Sequence, residues 1–122
     1  MIIQQDDSET PYKIQRYENG KIWVNDKVYE GSIAIRGHKL INPWFKGLIA
    51  DLTYEDFKIF EGELPNTIIL GTGPTFIIPS MAMLRPFLEK GISVEYMDSK
   101  VACYTYTALT AENRDIAVFI LL

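Results

Sequence analysis

The run Thr67-Ile68-Ile69-Leu70 stops abruptly at Gly71-Thr72-Gly73-Pro74, and this junction narrows the folds open to the chain more than any other stretch. A short aliphatic run bounded by turn residues reads as a buried strand. Two glycines and a proline within four residues are a hard turn signal. Beyond it, Ser80 to Lys90 carries Met81, Leu84, Phe87 and Leu88 at helical spacing, with Gly91 where a C′ glycine belongs. Ile92-Ser93-Val94-Glu95-Tyr96 reads as the next strand. Strand, helix and strand make a βαβ unit, so 67–70 and 92–96 should run parallel with a right-handed crossover. A proline deep in a helix costs about 3 kcal/mol. The regular helix is therefore expected to begin near Met83, which leaves Pro86 in its first turn. Open α/β sheets place their crevices beyond the carboxyl ends of such strands, which directs attention to the glycine turn.

The flanking chain supplies the other elements. Residues 1 to 11 are polar and acidic, and a loosely ordered arm is expected there. Tyr12 to Tyr17 alternates apolar and polar, then Asn19-Gly20 separates it from Lys21-Ile22-Trp23-Val24. Asn-Gly between alternating runs predicts a type I′ hairpin, which needs positive φ at both central residues. Asn25-Asp26 predicts another turn, and the runs Lys27 to Tyr29 and Ser32 to Ile35 complete an antiparallel meander. From Arg36 to Ala50 the period is lost, and this connection carries Trp44 and Phe45 over the sheet. Leu52 to Phe60 regains helical spacing, with Thr53 as N-cap and Asp56 approximating a capping box. Asp98 or Ser99 starts a second helix reaching about Thr110, with Ala102, Tyr106 and Leu109 inward. Asp115 to Leu122 is a closing strand whose continuous apolar character predicts burial on both faces.

With 122 residues, one domain is expected, and a chain of this size buries roughly two thirds of its unfolded surface. Hydrophobic residues at 48% and charged residues at 23% fit an ordinary globular protein. The net charge is −4 and the basic residues are scattered, so the clustered cations that nucleic-acid binding requires are missing. A single cysteine excludes an internal disulfide and suits a reducing compartment. The start of the sequence has no basic n-region, and the longest apolar run falls far short of a membrane helix, about 20 residues. The expectation is a cytoplasmic protein without a membrane span.

Several residues are candidates for chemistry. The Gly71-Thr72-Gly73-Pro74 turn could offer backbone N–H groups to an anion. It lacks the Gly-Lys-Ser/Thr ending of a P-loop and the third glycine of a dinucleotide fingerprint, so no cofactor is expected. Cys103 sits about one turn into its helix, where the dipole could lower a thiol pKa, although burial as a structural thiol is the commoner fate. His38 is the sole histidine and no carboxylates show ligand spacing, so no metal is expected. Asp98 reads as a helix cap. Glu112 and Arg114 flank the last turn, and Arg114 could contact an anion. The candidate pocket thus comprises Gly71, Thr72, Gly73, Cys103, Tyr106 and Arg114. The candidate partner contact comprises Trp44, Phe45 and Phe76, since aromatics are favoured hot-spot residues.

Three pieces in order, Ile69-Leu70-Gly71-Thr72-Gly73, Gly91 to Ser99, and Ala102 to Tyr106 with Glu112-Asn113-Arg114, resemble one family. It is the domain-of-unknown-function family number four-nine-eight, which includes the adipogenesis-associated Mth domain protein and mitochondrial assembly factors of respiratory complex I. The likeness is strongest from Ile69 to Leu122 and weak before Ser32. It implies a single three-layer α/β domain with a mixed central sheet, a parallel βαβ unit, two to three helices and an N-terminal antiparallel β-meander packed on it. Members commonly carry Asn where this chain has Thr107, and often a basic residue at Tyr104. By that analogy the expected function is a non-catalytic interaction or assembly module with a protein partner. The rival expectation is a small-molecule or anion binder, or weak enzyme, at the glycine turn. Homo-oligomerisation through an exposed edge of the meander is compatible with either.

Overall fold

The computed structural model describes residues 4–7 (backbone only), 11–112 and 114–122. Among them the strands are β1 (Gln4–Asp7), β2 (Ile14–Glu18), β3 (Lys21–Val24), β4 (Lys27–Glu30), β5 (Ile33–Arg36) and β6 (Lys39–Asn42). Two short 3-10 turns follow, Ile49–Asp51 and Tyr54–Phe57. Then come β7 (Thr67–Gly71), α1 (Met81–Glu89), β8 (Ser93–Met97), α2 (Ser99–Thr110) and β9 (Ile116–Ile120). The main sheet has the order β1-β6-β5-β9-β7-β8, and β2-β3-β4 form a separate antiparallel sheet. β7 runs parallel to both β8 and β9, with Thr67 opposite Ser93 and Ile116, and Gly71 opposite Met97 and Ile120. The βαβ unit expected from the glycine junction is present.

Period-2 alternation sorts the central strands onto two cores. Ile33, Ile35, Ile69, Ile116, Val118 and Ile120 face α2 and the small sheet, where they meet Ala102, Cys103, Tyr106, Ile22 and Val24. Their neighbours Ala34, Ile68, Leu70, Ala117 and Phe119 face α1 and the irregular connection. The result is three layers with the mixed sheet in the middle. β9 is buried along its whole length because it is flanked by β5 and β7 and covered on both faces.

On the second face the packing is aromatic. Phe57 lies with ring centroids 4.8 Å from Phe119, 5.1 Å from Phe87 and 5.2 Å from Trp44. Edge-to-face pairs of this kind add about 0.5–1.5 kcal/mol beyond area burial. The segment carrying Trp44 is tied down by Ser32, whose Oγ donates to the Phe45 carbonyl and accepts from its N–H.

Several local expectations are met. Asn19 and Gly20 have φ of 51° and 75°, which closes the hairpin as expected. Asp98 caps α2 by accepting from the Val101 N–H at 2.9 Å.

Other features differ from the sequence reading. α1 begins at Met81, where the Ser80 side chain accepts from the Met83 N–H, so Pro86 lies past the first turn. Met83 and Phe87, four apart, are its buried residues, while Met81 and Leu88 are exposed. The helix expected over 52–60 is only the 3-10 turn at Tyr54–Phe57. Asp56 does accept from the Thr53 N–H at 2.8 Å. Beyond Lys58 the chain unwinds, and Phe60 still reaches the core. β6 lies inside the stretch read as an irregular connection. Its partner β1 is a paired strand at residues 4–7 of the stretch read as a loose arm, and residues 1–3 and 8–10 of that stretch lie outside the described residues.

Candidate functional site

The glycine turn is built from packing. A Cβ at Gly71 would sit 2.7 Å from Ser99 Oγ and 2.9 Å from Ser99 Cα, so only glycine lets β7 meet the start of α2. Ser99 is fully buried, and its hydroxyl donates to the Leu121 carbonyl while accepting from the Gly73 N–H at 2.9 Å. The Thr72 N–H donates to the Met97 carbonyl at 2.8 Å, and the Ser99 N–H donates to the Gly73 carbonyl at 2.8 Å. The amides at Thr72 and Gly73, which could have formed an anion nest, are thus spent on β8 and α2. The N-terminus of α2, the other anion-attracting feature here, already holds the Asp98 carboxylate.

What the turn does project is apolar. Thr72 Oγ1 donates to the Thr75 carbonyl at 2.8 Å and accepts from the Ile77 N–H at 3.1 Å, which closes the loop after the turn. Out of this closed loop stand Phe76 (57% exposed), Ile77 (42%) and Ile78 (69%), with Met81 (55%) following in the first turn of α1. The Phe76 ring stacks on Tyr96 at 6.0 Å and 11°, so the loop leans on β8, the last strand of the sheet. Of the three aromatics expected at a partner contact, Phe76 is exposed. Phe45 is half-buried, and Trp44 is core, 3% exposed with its Nε1 donating to the Asp56 carbonyl at 2.7 Å. An aromatic in an irregular segment reads alike whether it faces water or a sheet, which is why sequence did not separate these three.

The six candidate pocket residues divide among three places. Gly71, Thr72 and Gly73 lie at the carboxyl end of β7. Arg114 precedes β9, and since Ile116 pairs with Thr67, it lies at the amino end of β7. At ~3.3 Å per residue the strand alone separates those ends by about 13 Å. Cys103 lies between α2 and β2, beside Ile14, Tyr17 and Lys100, with almost no free space around it. Burial pushes its thiol up to about 12, opposite to what the helix dipole would do to an exposed thiol.

Tyr106 and Arg114 do come together, at the end of the sheet remote from the glycine turn. They border a cleft of about 520 Å³ between the end of α2, the segment Pro11–Lys13, the Gly37 turn and the approach to β9. Thr107, the position where Asn was expected from resemblance, also borders it. Its hydroxyl lies 3.0 Å from the Cys103 carbonyl and 3.3 Å from the Ile14 carbonyl, binding α2 to β2. Asp115 at the cleft edge is gripped by Arg36, with Nε at 3.2 Å from Oδ1 and Nη2 at 2.8 Å from Oδ2. The hydrogen bonds from Arg36 hold its carboxyl below the usual range, against the opposing effect of partial burial and with further help from the guanidinium charge. Lys13 and Thr110 carried no recognisable signal, because four segments distant in sequence make this cleft, and Thr107 was marked only through the resemblance. Among the described residues no helix is long and apolar enough to cross a membrane.

These features define a small three-layer α/β domain with an apolar platform at one end of its sheet and a cleft at the other. The chain belongs to the family described as protein of unknown function (DUF498/DUF598), whose profile matches residues 14–121. Over 122 residues it is 24% identical to the 13 kDa major membrane protein of Francisella tularensis subsp. holarctica (strain LVS), covering 99% of each. Over 115 residues it is 26% identical to the human NADH dehydrogenase (ubiquinone) 1 alpha subcomplex assembly factor 3, covering 93% of this chain and 61% of that protein. The crystal structure of a Bordetella parapertussis protein matches with a TM-score of 0.82 at 27% identity, covering 93% of this chain and 98% of that one. The resemblance to the assembly-factor family seen in the sequence is therefore correct.

Proposed function

We propose that the chain is a non-catalytic protein-interaction module of the assembly-factor kind, acting in the cytoplasm and holding a partner protein through Phe76, Ile77, Ile78 and Met81. The observation that carries this reading is the run of exposed apolar side chains on a loop closed by Thr72. Exposed apolar groups held in a fixed loop lose little conformational freedom on docking, so more of their burial is available to affinity. Kinship with the human assembly factor supports a role in building a complex, although the chain spans only 61% of that protein. The reading of the glycine turn as an anion site loses support, because its amides already have partners.

The double variant Phe76→Ser/Ile78→Ser tests the proposal. Both side chains are exposed, so it should fold with wild-type stability within about 0.5 kcal/mol. In its native host, affinity purification of the wild type should retain proteins that the double variant loses. Retention of the same proteins by both would count against the platform. Fractionation of the same cells checks the proposed location, and recovery with the membrane would contradict it.

A further inference from the structure

We infer that the cleft between the end of α2, the Gly37 turn and the approach to β9 is a binding site for a small carboxylate with an apolar tail, gripped by the Tyr106 hydroxyl, Lys13 and Arg114. Its volume, about 520 Å³, falls inside the range of small-molecule sites, roughly 300–1,000 Å³. Pro11, Tyr12, Ala111 and Ile116 give it apolar walls.

Lys13, Tyr106, Thr107, Thr110, Arg114 and Asp115 supply its polar side chains. Tyr106 is 1% exposed, yet it borders the cleft, and its hydroxyl has no hydrogen-bond partner among the described residues. Nor is that oxygen sealed from solvent, since every fully buried side-chain N or O atom has a partner. The ring is therefore buried and its hydroxyl opens into the cleft. Burial, and next the charge of Asp115, push this hydroxyl up to about 12, so it keeps its proton and donates throughout the neutral range.

The charge balance selects an anion. Lys13 and Arg114 both border the cleft, and neither makes an ion pair among the described residues. Asp115, the carboxylate in its described lining, is paired with Arg36. Arg114 can meet a carboxylate through two parallel N–H donors, which favours it over a lone point charge. Apolar walls with two cations and a neutral hydroxyl among the lining groups suit an amphiphilic acid and disfavour a highly charged phosphate ester. This site lies at the opposite end of the sheet from the Phe76 platform and is independent of the partner-binding proposal.

Titration of the full chain with octanoate, followed by amide chemical shifts, tests the inference. The expected result is saturable shifts at residues 12, 13 and 37 and across 106–116, with octanol, the neutral analogue, binding about tenfold or more weakly. Hydrogen bonds to charged groups are worth about 1.5–3 kcal/mol, so Tyr106→Phe should weaken octanoate about tenfold while leaving octanol unchanged. Arg114→Ala, at an exposed position without an ion pair among the described residues, should do the same. Absence of saturable shifts would overturn the inference. So would equal affinity for octanol, or shifts confined to Phe76–Met81.

Discussion

The two ends of β7 behave oppositely. At its carboxyl end Gly71, Gly73 and Ser99 interlock, and the buried polar groups there are satisfied by neighbours. At its amino end a buried tyrosine borders the cleft with a hydroxyl that has no partner among the described residues, beside Lys13 and Arg114, which make no ion pair there. The glycine turn is the conspicuous feature in the sequence, yet its glycines serve close packing of β7 on α2. A strand running into a glycine turn is thus a statement about how near a helix may approach, and it becomes a ligand site only if the turn's amides are left free. Here they are not.

The contrast can be broken from either side. The largest effect is expected for Ser99→Ala, which leaves both the Gly73 N–H and the Leu121 carbonyl without their bond. Buried groups so orphaned cost about 1–3 kcal/mol each, so chemical denaturation should show a loss of about 2–6 kcal/mol. Little change would mean that the junction is looser than its geometry. Gly71→Ala comes next. Its Cβ would press on Ser99 Cα at 2.9 Å, backbone that cannot swing aside, and overpacking of this kind costs about 1–3 kcal/mol.

A smaller effect belongs to Asp115. Its folded pKa is depressed, chiefly by hydrogen bonds from Arg36, so its contribution is present above the unfolded carboxylate pKa. That contribution fades as pH falls through the folded value. The Asp115 side chain is 66% exposed, and exposed pairs contribute only about 0–1 kcal/mol. Asp115→Asn should therefore cost less than about 1 kcal/mol at neutral pH and nothing in strong acid. A loss that persists in acid would mean that the pair with Arg36 is not its cause.

The sequence carried the central architecture because the evidence for it was local. Ile69 and Val94 lie in short apolar runs with a helix between them, and Asn19-Gly20 has one good hairpin geometry. Elements set by tertiary packing were harder to read. Phe57 and Phe60 share a face in a helix and equally reach one aromatic core from a 3-10 turn, so spacing did not distinguish the two. β6 is four residues between His38 and a proline, too short for its period to show. Pro86 was placed by cost alone, while Ser80 supplied a cap strong enough to start α1 two residues earlier. For the site, Tyr106 and Arg114 were each visible as single residues. Their separation from Gly71 became clear only from the register that sets Ile116 against Thr67.

Urea unfolding of Gly71→Ala beside Tyr106→Phe tests this division of the molecule most directly. The interlocked end should lose about 1–3 kcal/mol, whereas removing a hydroxyl with no partner should change stability by less than about 0.5 kcal/mol. A neutral Gly71→Ala together with a costly Tyr106→Phe would reverse the assignment, making the glycine turn the open end and the cleft part of the core.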